Sequence, residues 1–285
     1  MLGKLLKYEF KNTYKVILLL LGAVALATLI GFMSLQSPFW DDLSGRSYYV
    51  DNFVADLLSM MSFFSIIFYI IMLVGVVYAA LIYLVVRFYR TMYTDEGYLL
   101  HTLPVTKHQI LVSKIFVSSV WMYLIYFAMY VSLAFFILSL INVFTSDSVW
   151  LSMPSYLGTF QEFMGEFTHL FGGGWLVSYL VLAVLGVPAA VITFFGAVSM
   201  GQLFAKHRVL MAIVVYIAIM IVSSVVRSFF QGGLALTSSF FIQTGEDFGH
   251  YMMVIANSQM IASLLIAVGC YIASYYITSR NLNLD

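Results

Sequence analysis

Charge is what this sequence lacks most. Only 9% of the 285 residues are Asp, Glu, Lys or Arg, whereas 62% are hydrophobic. A soluble domain runs near a quarter charged, because its surface must be wetted. With 13 basic and 13 acidic residues, this chain could not cover a globule of its size. The balance of the two signs also excludes a nucleic-acid binder, which needs a basic surface to neutralise phosphates. A single cysteine, Cys270, excludes an internal disulfide framework and a cysteine-built zinc site, and its apolar surroundings read as packing. The four prolines and the absence of low-complexity runs leave no long flexible linker between domains.

What is present instead is long apolar stretches. Crossing about 30 Å of hydrocarbon takes about 20 residues of helix. Six stretches qualify: 16–35, 58–86, 115–141, 175–200, 209–226 and 252–278, none containing Asp, Glu, Lys or Arg. Their continuity, without period-two alternation, indicates helices rather than barrel strands. The expected fold class is therefore an all-α integral membrane protein with six transmembrane helices. The apolar run after the N-terminal lysines continues to Leu35, past Ala23-Val-Ala25 and Ala25-Leu-Ala27, so it reads as a retained first span rather than a cleaved signal.

Basic residues set the direction. With a cytoplasmic N-terminus, Lys4, Lys7, Lys11, Lys15, Arg87, Arg90, Lys107, Lys114, Lys206, Arg208 and Arg280 all fall inside, leaving Arg46 and Arg227 outside. Both termini are then cytoplasmic. Residues 1–15 place Leu2, Leu5, Leu6 and Phe10 at helical spacing opposite the four lysines. That pattern predicts an amphipathic interfacial helix before the first span, a short solvated tail being the alternative. Residues 16–285 form the six-span domain.

Chemistry-bearing motifs are scarce. There is no phosphate-binding G-x-x-x-x-G-K-[ST], no H-E-x-x-H and no G-x-S-x-G, and no two histidines stand three or four apart. The chain is expected not to be an enzyme and to hold no metal or cofactor. The spans carry no ionisable relay of Asp, Glu, Lys or Arg, which proton-coupled carriers usually place there. Their polar groups are neutral, and Asn257 and Gln259 in the last span are the candidates for a substrate pathway, with helix packing as the plainer role. Gly186-Val-Pro188 marks a break or kink in the fourth span.

The cytoplasmic segment 87–114 is the most patterned soluble stretch. Arg87 and Arg90 are placed to snorkel from the second span. Thr94 before Asp95 and Glu96 reads as a helix start, with a capping hydroxyl and two acids on the dipole. A short helix from Asp95 would show Tyr98, Leu99 and Leu103 to a partner and end at Pro104. Thr106-Lys-His-Gln109 fits a capping box that launches the third span.

The run Asp95-Glu-Gly-Tyr-Leu-Leu-His-Thr-Leu-Pro-Val-Thr-Lys-His-Gln-Ile-Leu-Val-Ser-Lys114, with Leu5-Leu-Lys-Tyr-Glu-Phe-Lys11 before the first span, resembles type-2 permease subunits of bacterial ATP-binding cassette transporters. The resemblance implies a coupling helix at Asp95, Glu96, Gly97, Tyr98, Leu99, His101, Leu103 and Pro104 that docks on a separate ATPase subunit. It implies a second permease copy or paralogue, ATP and magnesium held by the partner, export as the direction, and a bacterial cytoplasmic (cell) membrane as the location. For residues 227–251 it implies short helices dipping into the outer face, against a plain external loop. With only about 22 residues between spans one and two, the chain departs from members that carry a large domain there. The alternative function is an ATP-independent, ion-coupled secondary transporter using Asn257 and Gln259.

Overall fold

The computed structural model describes residues 2–35, 53–94, 97, 105–145, 158, 160–162, 164–166, 168, 175–204, 207–238 and 245–280. Six long helices follow one another: α1 (Leu2–Ser34), α2 (Phe53–Tyr93), α3 (Lys107–Thr145), α4 (Trp175–Gly201), α5 (Arg208–Ser238) and α6 (Gly245–Arg280). Each contains one candidate span, long and apolar enough to cross a membrane. Outside these spans the helices simply continue. At 1.5 Å per residue the 41 residues of α2 reach about 60 Å, twice the hydrocarbon thickness. Nothing at the edge of the apolar run stops a helix; only a glycine, a proline or a competing side chain does.

The helices run past three of the expected boundaries. Residues 2–15 are continuous with the first span in α1, one unbroken helix of 33 residues. Helix α4 runs through Gly186-Val-Pro188 without unwinding. In 227–251, residues up to Ser238 prolong α5 and those from Gly245 begin α6, so most of the segment is helix continuous with the spans.

The chain divides into two compact units: Met1–Asn12 with Leu81–Trp121 and Phe167–Asp285, and Thr13–Ala80 with Met122–Glu166. In the second unit, α1, α2 and α3 meet through hydroxyls and rings. Ser132 Oγ lies 2.7 Å from Thr28 Oγ1 and 2.8 Å from Tyr69 Oη. Where lipid offers no hydrogen-bond partner, such neutral groups find one another across helices. Gly31 lets the Tyr69 ring close in, because a Cβ there would stand 3.0 Å from it. Tyr69 stacks on Phe136, and Phe32 meets Phe135 with its ring tilted by 41°.

In the first unit α4 packs against α6 and α5. Gly196 and Gly201 permit this, since a Cβ on either would come within 2.5 Å of Cys270 Cβ and 2.6 Å of Ala212 Cα respectively. Phe88 of α2 stacks flat on Phe195 of α4, with ring centroids 4.0 Å apart. The large apolar side chains left outside, such as Leu18, Ile71, Phe127 and Val225, lie on the candidate spans. So much uncovered apolar surface suits acyl chains and not water.

Candidate functional site

Of the residues assigned to coupling, Gly97 alone is among those described. Asp95, Glu96, Tyr98, Leu99, His101, Leu103 and Pro104 lie outside the described residues. The site is therefore built from the two helix ends that hold this segment.

At the end of α2, Thr94 Oγ1 donates to the Arg90 carbonyl, one turn back on the outgoing helix. The chain then turns sharply: Gly97 N–H donates to the Thr94 carbonyl at 2.7 Å. A Cβ on Gly97 would sit 2.5 Å from the Met92 carbonyl oxygen, so this turn has room for glycine only. At the start of α3 the capping reading holds. Gln109 N–H donates to Thr106 Oγ1 at 3.3 Å, and Ile110 N–H to the Thr106 carbonyl at 3.2 Å.

Below these ends lies an ion cluster. Glu9 of α1 accepts from Arg87 Nη2 of α2 at 3.3 Å and from Lys114 Nζ of α3 at 2.7 Å. Lys114 Nζ also donates to Thr91 Oγ1 at 2.6 Å. The side chains of Glu9 and Arg87 are 14% exposed, and that of Lys114 only 4%. One carboxylate shared by two cations leaves a net positive charge in a poorly hydrated place, where losing either sign is costly. Arg87 thus turns inward to Glu9 and does not snorkel to water. Glu9 gets there because it shares the helical stripe of Leu5, Leu6 and Thr13, the half-buried to buried side of α1, while Lys4, Lys7 and Lys11 stay exposed.

A second group of contacts ties the same two ends to the rest of the unit. Tyr93 Oη, deeply buried at the end of α2, donates to Ser199 Oγ of α4 at 2.8 Å. Lys107 Nζ donates to the Thr278 and Ser279 carbonyls at 3.0 and 3.3 Å. Those carbonyls belong to the last turn of α6, which has no intrahelical donors and carries the negative end of the helix dipole. His108 Nδ1 and Tyr271 Oη share a hydrogen bond of 2.6 Å. The beginning of α1 and the end of α6 thus both meet the beginning of α3, at one end of this unit.

Asn257 and Gln259 are half-buried on α6. Two residues apart on a helix, they project roughly 200° from each other and do not form one polar surface. Among the described residues no three of His, Cys, Asp and Glu gather as a metal site. Reasoning from sequence passed over Glu9, Thr91, Tyr93, Lys107 and Lys114 as a working group. The available signal was Glu9 itself, an acid on the apolar stripe of a helix whose other charges are lysines. No protein family, curated protein or solved structure matches the chain.

Proposed function

We propose that this chain is the membrane-spanning permease subunit of an ATP-driven exporter, with both termini cytoplasmic and residues 95–104 docking on a separate ATPase subunit. ATP and magnesium act in that partner, and a second permease copy or paralogue completes the pathway across the cell membrane. The excess of lysine and arginine on one side supports the orientation. It also suits a headgroup-level position for the first residues of α1, whose exposed lysines favour an anionic surface.

One observation carries the proposal: both ends of the segment 95–104 are bound by buried polar contacts to three other helices. A pushed loop transmits nothing if its helices pivot freely where they emerge. Here Lys114 holds Thr91, so α2 and α3 are joined just below the loop. Glu9 adds α1, Tyr93 adds α4 through Ser199, and Lys107 adds α6. Displacement of the loop then moves packed helices together, as a rigid-body change of the kind that alternates access. The chain supplies leverage and a path, and the partner supplies the free energy.

The test is substitution in the docking segment. Glu96→Arg and Leu99→Asp are expected to leave membrane insertion intact while releasing the ATPase from the purified complex and abolishing its stimulation. Unchanged co-purification and unchanged hydrolysis in both variants would overturn the proposal.

A further inference from the structure

Two hollows adjoin on the flank of α2 and share Val86 and Arg90. The larger, of about 610 Å³, is an apolar groove walled by Leu81, Val85 and Tyr89 of α2, Phe194 of α4, and Ile213 and Tyr216 of α5. The smaller, of about 210 Å³, is lined by Asn12, Tyr83, Arg87, Arg90 and Thr91. We propose that together they form a binding site for one anionic phospholipid, with an acyl chain along the groove and the headgroup phosphate in the polar hollow against Arg90 and Arg87.

Position selects the class of occupant. Ile82 and Ile213, at the groove's rim, are 59% and 57% exposed on candidate spans. In a bilayer that surface lies among acyl chains. A groove of this volume falls within the roughly 300–1,000 Å³ typical of ligand sites. Arg90 stands three residues before the end of α2, at the depth where an apolar span gives way to headgroups.

Charge selects the headgroup. Among the described residues no acidic side chain lines either hollow, and both cations there are guanidinium groups, which suit phosphate oxygens. Glu9 does not cancel them, because Lys114 already takes one of its oxygens. Arg87 gives Nη2 to Glu9 and Nη1 to the Tyr83 hydroxyl, at 3.3 and 3.5 Å. Its Nε is a buried donor without a partner among the described residues. A phosphate oxygen is an acceptor for these donors, and an anionic lipid brings it without the ammonium group that a zwitterionic headgroup would add to a site already holding two cations. The inference rests on the helices crossing a bilayer and not on the transport proposal.

The experiment is native mass spectrometry of the full chain released from vesicles of equimolar phosphatidylglycerol and phosphatidylcholine. Retention of phosphatidylglycerol over phosphatidylcholine is expected. Arg90→Gln lowers that preference roughly five-fold, the factor for one basic residue at an anionic surface, and Arg90→Lys keeps most of it. Ile213→Trp, which fills the groove, removes both lipids while the unfolding midpoint stays put. Equal retention of the two lipids, or a preference indifferent to Arg90→Gln, overturns the proposal. So does displacement of the lipid by free glycerol phosphate at equal concentration, which would mean an anion site without a chain, or a dimer of this chain that excludes lipid from the groove.

Discussion

Glu9→Gln tests whether the ion cluster holds α1 to the ends of α2 and α3. The substitution keeps the shape and one acceptor oxygen but removes the only negative charge among Glu9, Arg87 and Lys114. Two cations are then left together, one of them 4% exposed. Removing one partner of a buried pair typically costs 3–5 kcal/mol, and about 3 kcal/mol is expected here because Thr91 still accepts from Lys114. Lys114→Met alone leaves the Glu9–Arg87 pair balanced and should cost about 1–2 kcal/mol, the value of a charged hydrogen bond.

The double variant separates charge from shape. Glu9→Gln with Lys114→Met restores the wild-type net charge of the cluster, so its cost should stay near about 3 kcal/mol, below the summed single effects. Unfolding of the purified chain by rising SDS in mixed micelles would measure this. Tryptophan emission follows it well, because Trp121 lies against Phe10, with ring centroids 5.6 Å apart, next to Glu9 in sequence. If the two substitutions add to within about 0.5 kcal/mol, or Glu9→Gln costs less than about 1 kcal/mol, the cluster is not the clamp described.

Helix contacts at glycine give a sharper geometric check. Gly196→Ala should destabilise by about 1–3 kcal/mol through overpacking, and Cys270→Gly should rescue it where Cys270→Ala does not, because the obstruction is the Cys270 Cβ at 2.5 Å. Gly201→Ala meets the Ala212 backbone at 2.6 Å, has no such rescue, and should open the α4–α5 hairpin, which cross-linking of cysteines placed on the two helices would register. His207 adopts φ 60° just before α5. In the same SDS assay, His207→Gly should be near neutral, whereas His207→Val should cost about 1–2 kcal/mol, because a β-branched side chain resists that conformation.

The six spans were legible because hydrocarbon thickness imposes a length and a composition, and both can be counted. Helix ends were not, since a span's boundary is a property of the bilayer while a helix's end depends on its own backbone partners. Thr94 shows the difference: its hydroxyl returns to the Arg90 carbonyl four residues back, a bond that the pattern of a threonine before two acids does not announce. Thr106 was read correctly because its glutamine three residues on adds an independent signal.

The cluster around Glu9 was half legible. Helical spacing puts Glu9 on the buried stripe of α1, and a buried acid among lysines demands a cation from elsewhere. Which cation cannot be read from one chain, since Lys114 is 105 residues away and twelve other lysines and arginines compete for the role. Pairing between helices is decided by packing, and packing here turns on Phe88 against Phe195 and on the glycines of α4. Pro188 shows how packing and backbone combine: it lacks one amide donor, yet α4 runs unbroken from Trp175 to Gly201, because packing against α5 and α6 offsets the single lost hydrogen bond.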